Sequence, residues 1–143
     1  MKKILLFVTI LSFSLNLYAE EKKAYFAGGC FWCMEESFDQ IEGVLSSISG
    51  YSGGHLKNPT YQDVIYKETG HVEAIEITYD SKVVSYEQLL NIYWRNIDPF
   101  DSEGQFCDKG KSYRSVIFFQ NQLEKEFIDK SFKNLESKFN REI

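Results

Sequence analysis

Proline is almost absent from this chain, two residues in 143, and no proline- or glycine-rich stretch divides it. With no internal repeat and no low-complexity tract, repeat arrays and domains joined by flexible linkers are excluded. A cationic surface is missing too: 16 Lys and Arg face 21 Asp and Glu, for a net charge of −5. Such a surface repels phosphate backbones and anionic lipid, so no nucleic-acid partner is expected. Histidines number two and cysteines three. A zinc site wants four ligands, commonly two paired knuckles, whereas Cys107 stands alone and His55 and His71 lack ligand spacing, so no metal is expected. The odd cysteine count also falls short of a purely structural disulfide framework and leans towards redox chemistry.

The long apolar stretch lies at the start. In MKKILLFVTILSFSLNLYAE, Lys2 and Lys3 precede a mostly apolar run over 4–17, and Leu17-Tyr18-Ala19 ends it, the layout of a secretory signal peptide. Thr9, Ser12, Ser14 and Asn16 interrupt the run, which is short for a membrane span. The sequence thus predicts a leader over 1–19, export to the periplasm, no stable membrane association after cleavage, and one modest domain over 20–143. Loss of Lys2 and Lys3 takes the net charge from −5 to −7. Twelve Phe and nine Tyr are enough to line both a core and a pocket.

Residues 22–27 read as a strand turned by Gly28-Gly29, and Phe31, Met34, Phe38 and Ile41 then recur at helical spacing until Gly43. A second strand, VLSSISGYSGG, follows, then a turn or two of helix opened by Pro59 and a third strand, HVEAIEITYD, whose alternation is imperfect. Ser85 caps a helix over SYEQLLNIYWRNI. Residues 98–113 read as a polar loop and YRSVIFFQ as a strand; the last helix carries Leu123, Phe127, Phe132, Leu135 and Phe139 inward. The order, strand-helix-strand-strand-helix-strand-helix, predicts an α+β fold: a two-layer, ferredoxin-like split βαβ sandwich with a mixed sheet.

The chemistry concentrates in GGCFWCMEESF. The thiolate is the nucleophilic form of cysteine, and free N–H groups at a helix start favour it; Cys30 follows the glycine turn and opens the helix. Cys33, three residues on, faces the same side. A thioredoxin-type exchanger shares the C-x-x-C spacing but typically places small residues between its thiols, where this chain has Phe31 and Trp32, an apolar wall. A general thiol–disulfide oxidoreductase using Cys30 and Cys33 therefore stays as the alternative, with a non-enzymatic module binding apolar side chains as a third.

GGCFWCMEESF, GYSGGHLKNPTYQDV, TGHVEAIEITYD, SYEQLLNIYWRNIDP and GQFCDKGKSYRSVIF, in that order from Tyr25 to Phe119, resemble successive blocks of the A-type peptide methionine sulfoxide reductases. The resemblance implies reduction of the S-epimer of methionine sulfoxide, free or in proteins, with no metal or organic cofactor. It implies Cys30 as nucleophile, Phe31 and Trp32 as the pocket for the substrate's S-methyl group, Glu73, Tyr61 and Tyr113 on the sulfoxide oxygen, and Asp108 as a substrate-positioning carboxylate. The chemistry agrees: attack on the sulfoxide sulfur drives charge onto oxygen, which needs a proton donor, and Glu73 can be one if a dry aromatic pocket raises its pKa. His71 reads as a structural hydrogen-bonder. A second thiol must then condense with the Cys30 sulfenic acid; Cys33 and Cys107 are the candidates, Cys33 preferred, and a thioredoxin-like partner reduces the disulfide. The family continues past the long helix with a further strand and a His-Gln-Tyr segment, so a C-terminally short domain is expected here.

Overall fold

The structure is a computed structural model and describes residues 19–143; the expected leader lies outside the described residues, apart from Ala19. Four strands form the main sheet. The central pair is β1 (Glu21–Ala27) and β3 (Val72–Asp80), flanked by β6 (Val116–Phe118) beside β1 and β2 (Val44–Ser52) beside β3. The α+β class and the split βαβ order are as the sequence implies: β1, helix α1 (Phe31–Asp39) and β2 form a crossover unit into whose gap β3 inserts. Where the sequence order suggested a mixed sheet, each of the three pairings is antiparallel, because each parallel pair of a crossover unit is separated by an inserted strand.

The core explains the spacing of the apolar residues. Phe31, Met34 and Phe38 form the buried stripe of α1. Phe26 of β1 sits 5.7 Å from the Phe38 ring and 5.1 Å from Tyr93, between α1 and α3 (Tyr86–Arg95). Ile75 and Ile77 of β3 and Leu89 and Leu90 of α3 complete this layer. On the sheet's other face Ala27, Val72 and Ala74 form a second cluster with Val116 and Phe118. The start of β3 is thus covered on both faces, which accounts for its imperfect alternation.

Ser85 caps α3 as expected, its hydroxyl accepting from the Gln88 N–H while the Gln88 side chain returns the bond. The short helix α2 (Tyr61–Tyr66) is opened by Thr60 rather than Pro59, through the same reciprocal arrangement with Asp63. The 98–113 stretch is more ordered than a loop: β4 (Gly104–Gln105) and β5 (Asp108–Lys109) pair as a tight ribbon, followed by a 3₁₀ turn over Lys111–Tyr113. In α4 (Gln122–Phe139) Ile128 is the buried residue, with Phe127 and Phe132 packed beside the core; Leu123 and Phe139, expected inward, are exposed. Eighteen residues outrun the short sheet, so the apolar stripe leaves the core at both helix ends.

Candidate active site

The glycine pair has two separate physical reasons. Gly29 adopts φ +85°, and a Cβ there would lie 2.7 Å from Cβ of Gln105. A Cβ on Gly28 would meet Ile97 Cγ2 at 2.7 Å and Met34 Sδ at 3.0 Å, so the turn is pressed into the core. Gln105 completes the clamp: 1% exposed, it accepts from the Asp98 N–H at 2.6 Å and donates to the Asp98 carbonyl at 2.8 Å. Tyr93 Oη donates to the Ala27 carbonyl at 2.8 Å, fixing the end of β1 just before the turn. Gly29→Ala is expected to cost about 2–4 kcal/mol, combining left-handed strain with overpacking, and to lower the urea midpoint accordingly.

This clamped turn delivers Cys30 to the N-cap of α1, with extended ψ of 116° and no capping bond from its own side chain. The orphan N–H of Phe31 is instead taken by Glu73: its Oε2 accepts from Phe31 N at 3.0 Å. Glu73 is 2% exposed, not the solvent-facing strand residue its alternating position would allow. Two effects compete on its carboxyl. Burial penalises the charged form and wins; the Phe31 N–H favours the charged form and offsets it only in part; the negative charge of Asp108 adds to the rise. The net pKa is raised above the ordinary glutamate value.

Around this carboxyl stand tyrosines. Tyr113, at the end of the 3₁₀ turn, has its pKa pushed up by burial, then by Glu73 and by a hydrogen bond with Tyr61. Tyr51 is raised by burial and then by Glu73, opposite which β2–β3 pairing places it. Phe31 is buried, its ring 5.6 Å from Tyr51. Trp32 is 63% exposed and stacks on Tyr61 at 6.2 Å and 15° between planes. Phe31 is thus buried, while Trp32 and Tyr61 form an exposed stacked pair.

Cys30 is half-buried, while Cys33 and Cys107 are exposed; all three are free thiols. Interaction with Cys30, ahead of burial and the Asp108 charge, raises the pKa of the Cys33 thiol. Both cysteines and Asp108 line a recess of about 280 Å³, to which Cys107, between β4 and β5, does not contribute. His71 is a structural hydrogen-bonder, accepting through Nδ1 from the Gly54 N–H and contacting the Leu56 carbonyl through Nε2 at 2.9 Å. Sequence reasoning missed Tyr51, Gln105 and Tyr93 at the site. Tyr51 could have been found from strand register opposite Glu73; the other two carry no signal beyond being polar or aromatic residues in ordinary positions.

The site thus holds a half-buried thiol at a helix start, whose first N–H is bonded to a buried carboxyl with tyrosines beside it. Comparison with known proteins gives the family. The family model for peptide methionine sulfoxide reductase matches residues 22–143, and the chain belongs to that family. It is 52% identical over 118 residues to the peptide methionine sulfoxide reductase MsrA of Bacillus licheniformis, covering 82% of this chain and 65% of that protein. For the MsrA of Streptococcus mutans the figures are 50% over 124 residues, 85% and 73%. The chain spans about two thirds of the length of these curated relatives. Among solved structures, reduced Mxr1 of Saccharomyces cerevisiae superposes with a TM-score of 0.78 at 26% identity, over 86% of this chain and 72% of that one. Methionine sulfoxide reductase A of Corynebacterium diphtheriae gives 0.74 at 28%, over 82% and 58%.

Proposed function

We propose that this protein reduces the S-epimer of methionine sulfoxide, free or in oxidised proteins, with electrons from a thioredoxin-like dithiol and no bound cofactor. The observation that carries this is the buried Glu73 carboxyl, its pKa raised, bonded to the first helical N–H beside Cys30. The Cys30 thiolate attacks the sulfoxide sulfur; oxygen passes to Cys30, a proton from Glu73 meets the charge developing on it, and methionine leaves with a sulfenic acid remaining on Cys30. Tyr61 and Tyr113 supply hydroxyl donors to the same oxygen, Phe31 and Trp32 take the S-methyl group, and Asp108 positions the substrate. Cys33 then attacks the sulfenic acid, releasing water and forming the Cys30–Cys33 disulfide.

A stereospecific assay tests this reading: with dithiothreitol, the S-epimer should disappear and the R-epimer persist. Loss of neither epimer overturns it, and insulin reduction without sulfoxide reduction returns the general thiol–disulfide oxidoreductase. Cys33 shares the recess with Cys30 and Cys107 does not line it, which favours Cys33 over Cys107 as the resolving thiol. Cys33→Ser should then yield one equivalent of methionine per enzyme and stop when a protein dithiol is the reductant; continued turnover, with a Cys30–Cys107 bridge by mass mapping, transfers the role to Cys107. Export rests on the leader-like residues 1–19, and N-terminal sequencing of the mature protein checks it.

A further inference from the structure

The residues that line the recess beside Cys30 are largely not those of the aromatic wall. Phe31, Trp32, Tyr61, Glu73 and Tyr113 take no part in it; Cys30, Cys33, Arg95, Asn96, Phe106 and Asp108 do. Cys30 and the exposed Cys33 thus share the recess, away from the aromatic residues of that wall. We propose that this recess is the docking site of the protein dithiol that regenerates the enzyme, and that the incoming thiolate attacks Cys33 while Cys30 leaves. The inference rests on the reading of Cys33 as the resolving thiol.

Three observations select this occupant. First, thiol–disulfide exchange needs an approach to an accessible sulfur, and Cys33 is exposed where Cys30 is only half-buried. Second, the attacking group is an anion approaching an acidic protein. Arg95 is the cation among the recess residues, it is exposed at the last turn of α3, and no carboxylate among the described residues is paired with it. Asp108 is the opposing charge there, and it lies on the ribbon side with Phe106. Third, Phe106 is 67% exposed and held at φ +49°, a left-handed conformation that a bulky residue rarely adopts. The ribbon thus presents an apolar side chain to solvent at the rim of the recess, a contact a protein partner can cover and a small dithiol cannot use.

The direction of exchange follows from the two sulfurs. Cys33 is the exposed one and Cys30 the half-buried one, so the incoming thiolate reaches Cys33 and Cys30 is the leaving group. In the first step the partner's sulfur bonds to Cys33 and the Cys30–Cys33 bond breaks, its electron pair staying on Cys30. In the second, the partner's other thiolate attacks its own bonded sulfur and Cys33 departs as a thiolate that takes up a proton. Two electrons have passed from the dithiol to the enzyme, and the partner is left as a disulfide.

Steady-state kinetics with a thioredoxin as reductant, against dithiothreitol as control, provide the test. Arg95→Glu is expected to lower kcat/KM for thioredoxin about tenfold while dithiothreitol-supported turnover stays within about twofold. Arg95→Gln, which leaves the end of α3 neutral, should change in the same direction by less, and Phe106→Ala should also raise the KM for thioredoxin. A thioredoxin whose second cysteine is serine should be trapped on Cys33, as read by fragment mass spectrometry. Unchanged thioredoxin kinetics in the Arg95 variants, a raised KM for sulfoxide peptide under dithiothreitol, or trapping on Cys30 each overturns the proposal. Failure of the wild-type enzyme to form a Cys30–Cys33 disulfide after one turnover defeats instead the reading on which it rests.

Discussion

Cys30→Ser is expected to lose sulfoxide reduction by about 10⁴-fold or more, because a serine hydroxyl stays protonated near neutral pH and is a far weaker nucleophile than a thiolate. The variant should nevertheless fold as well as the wild type. Cys30 sits at the N-cap of α1 without making a side-chain capping bond, and serine is among the residues best suited to that position. Its melting temperature is therefore expected to be equal or slightly higher. Loss of activity with unchanged stability isolates the chemistry from the scaffold. Residual turnover above about one per cent would place the nucleophile elsewhere, with Cys107 the next thiol to test.

Much of this site was legible in the sequence because it is carried by local patterns. A glycine pair before a cysteine, and apolar residues spaced 31, 34 and 38, fix both the turn and the buried face of α1. Ser85 announced its helix for the same reason: a cap acts within one turn. What could not be read was assembled from distant segments. The β4–β5 ribbon has two-residue strands, too short for any alternation to show. The role of Gln105 depends on Asp98 and Gly29 meeting it from two directions. The recess draws on α1, on α3 and on the ribbon, and no window of sequence contains all three. In α4, periodicity marked a face but not how far the sheet beneath it extends, so Leu123 and Phe139 were placed inward although they reach solvent.

Glu73→Gln separates what this carboxyl does for the reaction from what it does to the fold. At neutral pH the variant should form the Cys30 sulfenic acid about 10²–10³-fold more slowly, since an amide can hydrogen-bond the sulfoxide oxygen but cannot supply a proton. The wild-type rate of that step should fall as pH rises through the raised Glu73 pKa, and the variant should lack that limb. Stability is expected to move the other way. The folded protein holds the Glu73 proton more tightly than the unfolded chain does. The residue's contribution is therefore most favourable below the unfolded value and is lost as pH rises through the folded one. Glutamine carries no such loss, and its carbonyl can still accept from the Phe31 N–H. Thermal melts should accordingly show Glu73→Gln more stable than the wild type at pH 8, with the difference closing towards pH 4. A variant that is both slower and less stable at pH 8 would make Glu73 a structural cap of α1 rather than the proton donor, and an unchanged rate would remove it from the chemistry altogether.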